Sequence, residues 1–207
     1  MKLFFSTLFF FLWTQTLYSN DFDAKYAIKA KGITIGSLKW ELSINNNNYK
    51  TSLYLKNTGI LSSLFAFEGK YGATGGVKSG FFLSREYDQF WKTKNKERFV
   101  KIIFENTTIS NLTLQPKEKE KARIDFKKLK EINDPITSFL NVILNKKPSY
   151  TVDGRRVYFL SPIFLETSIK ISIEKYKNIW ADHKRNDLEY IEVFLEKNHR
   201  LPKKINI

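Results

Sequence analysis

The sequence predicts a mainly β protein: a large antiparallel meander forming a curved sheet or partial barrel, with one amphipathic helix at about 134–145 packed on it. Three observations predict this. Apolar and polar residues alternate along several runs, the period of a half-buried strand. Turn-forming residues separate these runs at the short intervals of antiparallel sheets. One segment alone switches to a helical period, with start and stop signals at its ends.

The elements follow in order. Residues 1–19 read as a secretory signal: Lys2 is the positive n-region, 3–13 the apolar h-region, and 14–19 the more polar end. An h-region of about 11 residues spans roughly 16 Å as a helix, short of the ~30 Å hydrocarbon core. The expected mature chain, 20–207, is a single β-rich domain.

In 22–30, Phe22, Ala24, Tyr26, Ile28 and Ala30 share one face. Gly32 turns the chain, and Leu38, Trp40, Leu42 and Ile44 alternate with Lys39, Glu41 and Ser43. Asn45 to Asn48 then reads as a hairpin loop, because asparagine tolerates the left-handed region and bonds its own backbone. Tyr49, Thr51, Leu53 and Leu55 define a third strand. A short second helix is expected at 60–65. The glycines at 69, 72, 75 and 76 mark bulges or a flat, crowded part of the sheet.

Residues 80–91 and 98–105 form a hairpin around 93–96, and 117–121 reads as a solvated loop. Asp134 is the expected N-cap and Pro135 the first helical residue. Ile136, Phe139, Leu140, Ile143 and Leu144 make one apolar stripe, ended by Lys146-Lys147-Pro148. Further strands are expected at 149–160, split by a type I′ turn at Asp153-Gly154, and at 167–176, 188–195 and 201–207.

Composition bounds the function. With 42% apolar residues in 207, the chain buries a real core, which excludes wholesale disorder. No cysteine means no disulfide, zinc ribbon, thiol nucleophile or iron–sulfur cluster. No apolar run beyond the first 20 residues is long enough for an integral membrane span. The net charge of +14 comes mostly from lysine, 28 of 35 basic residues, in a chain also rich in Ile, Asn, Phe and Tyr. AT-rich codons would produce that bias without an anionic partner. The lysines are spread over several strands, so only weak, salt-sensitive adhesion to anionic membrane is expected from them.

Ordered motifs add a resemblance. Gly32-Ile33-Thr34-Ile35-Gly36 follows the first strand, and Gly59-Ile60-Leu61-Ser62-Ser63-Leu64 the third. Asp134-Pro135 opens the helix, Val152-Asp153-Gly154-Arg155-Arg156-Val157-Tyr158 comes after it, and Arg200-Leu201-Pro202 precedes the end. In this order the motifs resemble the bacterial exported proteins grouped as the domain of unknown function 3108 family. The resemblance implies a Gram-negative envelope protein of antiparallel β fold and no established reaction.

Chemistry-bearing motifs are sparse. G-x-S-x-G, H-E-x-x-H and a Walker loop are all missing, and His183 and His199 sit in charged, turn-like contexts. No catalytic residue, metal ligand or cofactor is expected. The candidate ligand-binding residues are Arg155 and Arg156. Neighbours on a strand point to opposite faces, so one arginine can reach an anionic ligand while the other pairs with a carboxylate such as Glu166 or Glu192. Three functions remain open: a non-enzymatic periplasmic binder of a lipid, glycan or partner protein; an envelope hydrolase with an unrecognised site; and a structural interaction module. The expected partner is a lipid or envelope component. Nucleic acid is excluded by export, and oligomeric state is left open. An apolar tunnel between the elements would favour a lipid binder, convergent carboxylates an enzyme, and a filled core a module.

Overall fold

The structure is a computed structural model that describes residues 19–30, 32–58, 62, 66–181, 190–196 and 199–206, the side chains of 19 and 20 excepted. Seven strands form one antiparallel meander in chain order: β1 (Ser19–Ala30), β2 (Ile33–Asn45), β3 (Asn48–Asn57), β4 (Phe67–Lys78), β5 (Phe81–Thr93), β6 (Glu97–Glu105) and β7 (Thr108–Gln115). Six more follow: β8 (Ile132–Asn133), β9 (Ser149–Val152), β10 (Arg156–Phe164), β11 (Ile169–Asn178), β12 (Tyr190–Phe194) and β13 (Lys204–Asn206). They form a second sheet in the order β13-β12-β11-β10-β9-β8. The helix α1 (Pro135–Asn145) joins β8 to β9, which are the one parallel pair among the described residues. A parallel pair needs such a crossover.

The mainly β class stands, but the meander splits into two sheets. Alternation identifies strands without saying which will pair. After β7 the chain leaves the first sheet through the loop expected at 117–121 and a single 3-10 turn at Phe126–Lys128. Apart from Ser62, the helix proposed at 60–65 lies outside the described residues, as does the start of the strand at 188.

Local chemistry sets the turns. Ser79 and Gly80 both have positive φ between β4 and β5, as do Asn106 and Thr107 between β6 and β7. That is the type I′ pattern, whose twist matches the flanking strands. The Asp153 turn differs from its expected type. Gly154 has φ +88° while Arg155 stays outside the left-handed region, which is the type II′ pattern. Asp153 Oδ1 secures this turn by accepting from the backbone N–H of Arg155 and Arg156, at 2.9 and 2.7 Å.

The helix packs between the sheets as its stripe requires. Ile136, Leu140 and Ile143 are buried. Phe139 keeps some exposure because it faces a cavity rather than a strand. The helix also solves an edge problem. β6 pairs with β5 only from Glu86 onward, leaving the backbone of 81–85 without a strand on that side. Asn141 takes the strand's place: its Oδ1 accepts from Phe82 N at 2.9 Å and its Nδ2 donates to Phe82 O at 2.7 Å. Asn133 Oδ1 accepts from Ser84 N at 3.0 Å. Buried backbone groups need such partners.

Side-chain and loop contacts tie the two sheets at both margins. Tyr26 of β1 donates to Pro202 O at 2.6 Å, and its burial pushes the phenol up to about 12. At the other margin Ile132 N donates to Thr107 O at 3.2 Å.

Candidate functional site: an apolar cavity between the sheets

The strands that carry the inward faces do not fill the space between them. A cavity of about 390 Å³ lies between the two sheets beside α1. Leu38 and Trp40 of β2, Leu53 and Leu55 of β3 and Tyr71 of β4 form one wall. Leu160, Ile173, Ile191 and Ile205 of the second sheet form the other, and Ile136 and Phe139 border it from the helix. Leu53, Leu55, Phe139, Ile173 and Ile191 point inward yet remain half-buried, because no side chain occupies the space they face.

Three polar groups at the cavity are engaged within the protein. Trp40 Nε1 donates to Thr51 Oγ1 at 2.9 Å, leaving the indole as apolar wall 5.8 Å from the Phe139 ring. Tyr87 donates to Gln89 Oε1 at 3.2 Å. Asp153 supplies the one carboxylate of the lining among the described residues. Burial raises its pKa, opposed by the N–H groups of Arg155 and Arg156 and by the guanidinium of Arg156. Arg156 Nη1 stands 3.7 Å from Asp153 Oδ2.

The candidate arginines diverge, as residues at the end of a turn must. Arg156 flanks the Asp153 end of the cavity. Arg155 is only 16% exposed at its side chain and binds neither of the carboxylates proposed for the pair: its Nε donates to Glu118 Oε1 at 2.7 Å. Glu118 belongs to the loop read as merely solvated, which folds back over the turn. Arg155 Nη2 is buried without a hydrogen-bond partner among the described residues. Glu192 instead accepts from Ser168 Oγ and Asn206 Nδ2.

A second polar cluster is structural. Asp134 is fully buried, and its Oδ1 accepts from the N–H groups of Ile136 and Thr137, both at 2.9 Å. Its Oδ2 accepts from the hydroxyls of Ser84 and Thr137. Tyr49 hydrogen-bonds Thr137 in turn. Every member holds the helix N-terminus onto β3 and β5, and none faces the cavity lining.

Among the described residues no group of three or more His, Asp or Glu is placed to hold a metal ion, and no helix is long and apolar enough to cross a membrane. His183 lies outside the described residues, and His199 is exposed. No family model, curated protein or solved structure matches the chain.

The inward faces of β2 and β3 were legible as apolar stripes. In sequence Asp153 reads only as a turn residue, and its place before Gly154 is the local signal that sets it at a strand end.

Proposed function

We propose that this protein is an exported, non-enzymatic binder that holds a lipid acyl chain between its sheets and works in the bacterial periplasm. The observation that carries the reading is the apolar cavity of about 390 Å³. Pockets that bury small apolar ligands run from about 300 to 1,000 Å³, with few polar groups. A carboxylate held by two backbone N–H groups, with one guanidinium near it, gives the cavity a polar end. The signal-like 1–19 segment and the resemblance to exported envelope proteins support the location.

A fluorescent long-chain acyl probe tests this. The mature protein should enhance its emission saturably, and an unlabelled fatty alcohol should displace it. Leu53→Arg places a guanidinium against the apolar wall, and binding should weaken at least tenfold, about 1.4 kcal/mol, while the circular dichroism spectrum stays β-rich. A wild type that leaves the probe dark, or a folded Leu53→Arg protein that binds as well as wild type, contradicts the proposal.

A further inference from the structure

The hairpin between β10 and β11 ends in an apolar tip. Leu165 N donates to Ser168 O at 2.9 Å, closing the turn. Ile163, Phe164 and Leu165 are 54%, 42% and 51% exposed. The other exposed large hydrophobics among the described residues, Ile33, Tyr150 and Tyr190, stand apart from one another in sequence. Ile163 lies opposite Lys170 and Phe164 opposite Ile169, so the two side chains leave opposite faces of the hairpin. The tip is a wedge, not a flat patch.

One other segment meets this tip, and a second is tied to that segment. Lys146, the left-handed residue that ends α1, holds its ammonium 5.8 Å from the Phe164 ring. Lys147 holds its ammonium 4.4 Å from the ring of Phe81. Asn145 Nδ2 donates to Gly80 O at 3.0 Å, which ties the helix end to the β4–β5 turn and so to Lys78. Across 78–81, 145–148 and 163–168 there are three lysines and one acid, Glu166. Among the described residues, neither Lys146 nor Lys147 has a carboxylate within ion-pair distance.

We infer that this corner docks the protein on an anionic lipid bilayer, with Ile163, Phe164 and Leu165 entering the acyl boundary and Lys146 and Lys147 at the phosphates. An apolar wedge ringed by lysines suits a bilayer, where lysine stems lie along apolar surface with the ammonium in the headgroups. Protein interfaces, by contrast, are depleted in lysine. An ammonium above a ring meets phosphate when the ring below it enters the apolar layer. The even spread of lysine seen in the sequence gives only screened adhesion; an inserted tip is not screened, so attachment survives ~0.15 M salt, where the Debye length is about 8 Å. The inference is independent of what the cavity holds, since it uses none of the cavity's lining residues.

Co-sedimentation of the mature protein with phosphatidylcholine vesicles, with and without phosphatidylglycerol, tests it. At ~0.15 M salt the wild type should pellet with the anionic vesicles and at least about tenfold less with the neutral ones. The triple change Ile163→Ser, Phe164→Ser and Leu165→Ser should remove most binding at that salt, and Lys146→Gln with Lys147→Gln should remove the preference for anionic lipid. In a Leu165→Trp protein, acyl-brominated lipids should quench emission beyond their effect on wild type. A triple-serine protein that pellets like wild type, an introduced indole that brominated lipid leaves untouched, or a tip whose loss instead dissolves a dimer in sedimentation velocity overturns the inference.

Discussion

Asp134→Ala is expected to lower the unfolding free energy by about 3–5 kcal/mol. An N-cap contributes roughly 1 kcal/mol, and each buried donor left without a partner costs about 1–3 kcal/mol more. The alanine leaves the N–H groups of Ile136 and Thr137 and the hydroxyl of Ser84 without the acceptor they share. It also unhooks the helix from β5, whose unpaired stretch at 81–85 depends on the same segment.

Asp134→Asn separates the charge from the hydrogen bonds, since its amide oxygen still accepts from both N–H groups. Burial holds the Asp134 pKa above its usual value, outweighing the hydrogen bonds that lower it. The sign follows from linkage: the folded protein binds this proton at a pH where the unfolded chain has released it. The group's stabilising contribution is therefore complete below about pH 4, the unfolded value, and is lost as pH rises through the raised folded value. Denaturant titrations at a series of pH values should show Asp134→Asn gaining on wild type from about pH 4 upward. A difference that does not change with pH would show that the carboxylate is not penalised by its surroundings.

Gly75→Ala is expected to be similarly damaging, by about 3 kcal/mol or more, at the upper end for an overpacked site. The β4–β5 register shifts between Thr74 and Gly75, and there the two backbones approach so closely that a methyl group would lie 1.9 Å from the Leu83 carbonyl oxygen. It would also sit 2.7 Å from the Tyr49 ring, which is bonded into the Asp134 cluster through Thr137. Neither obstacle is a flexible side-chain end. Gly76→Ala is the control: its methyl meets the guanidinium end of Arg85 at 3.4 Å, which can move. That change should stay within about 1 kcal/mol of wild type, because alanine also restricts the unfolded chain. A loss below ~1 kcal/mol for Gly75→Ala in chemical denaturation would mean that the bulge opens freely.

These residues show what the sequence made legible. The glycines of β4 were readable as a bulged, crowded region, since only close approach explains so many in one strand. The helix was readable to within a residue or two, because its cap, its first-turn proline and its stripe all agree. β7 is poorly marked in the sequence: Ser110 and Asn111 break its alternation, and Thr107 is an unexpected residue for a left-handed turn position. Asn133 and Asn141 carry no local signal, since their work as substitutes for a strand exists only once β6 has left β5. The division into two sheets and the cavity were hidden for a related reason. Periodicity tells which face of a strand is apolar, not whether the facing side chains are long enough to meet. Leu53 and Ile173 would read the same in a filled core.

Whether that space is occupied is the most direct question. Native mass spectrometry of the protein purified from its own cells, without detergent, should show the chain carrying an additional mass in the lipid range. That mass should be lost on organic extraction and be absent from Leu53→Arg. A spectrum containing only the bare polypeptide would contradict the account of the cavity as an acyl-chain site.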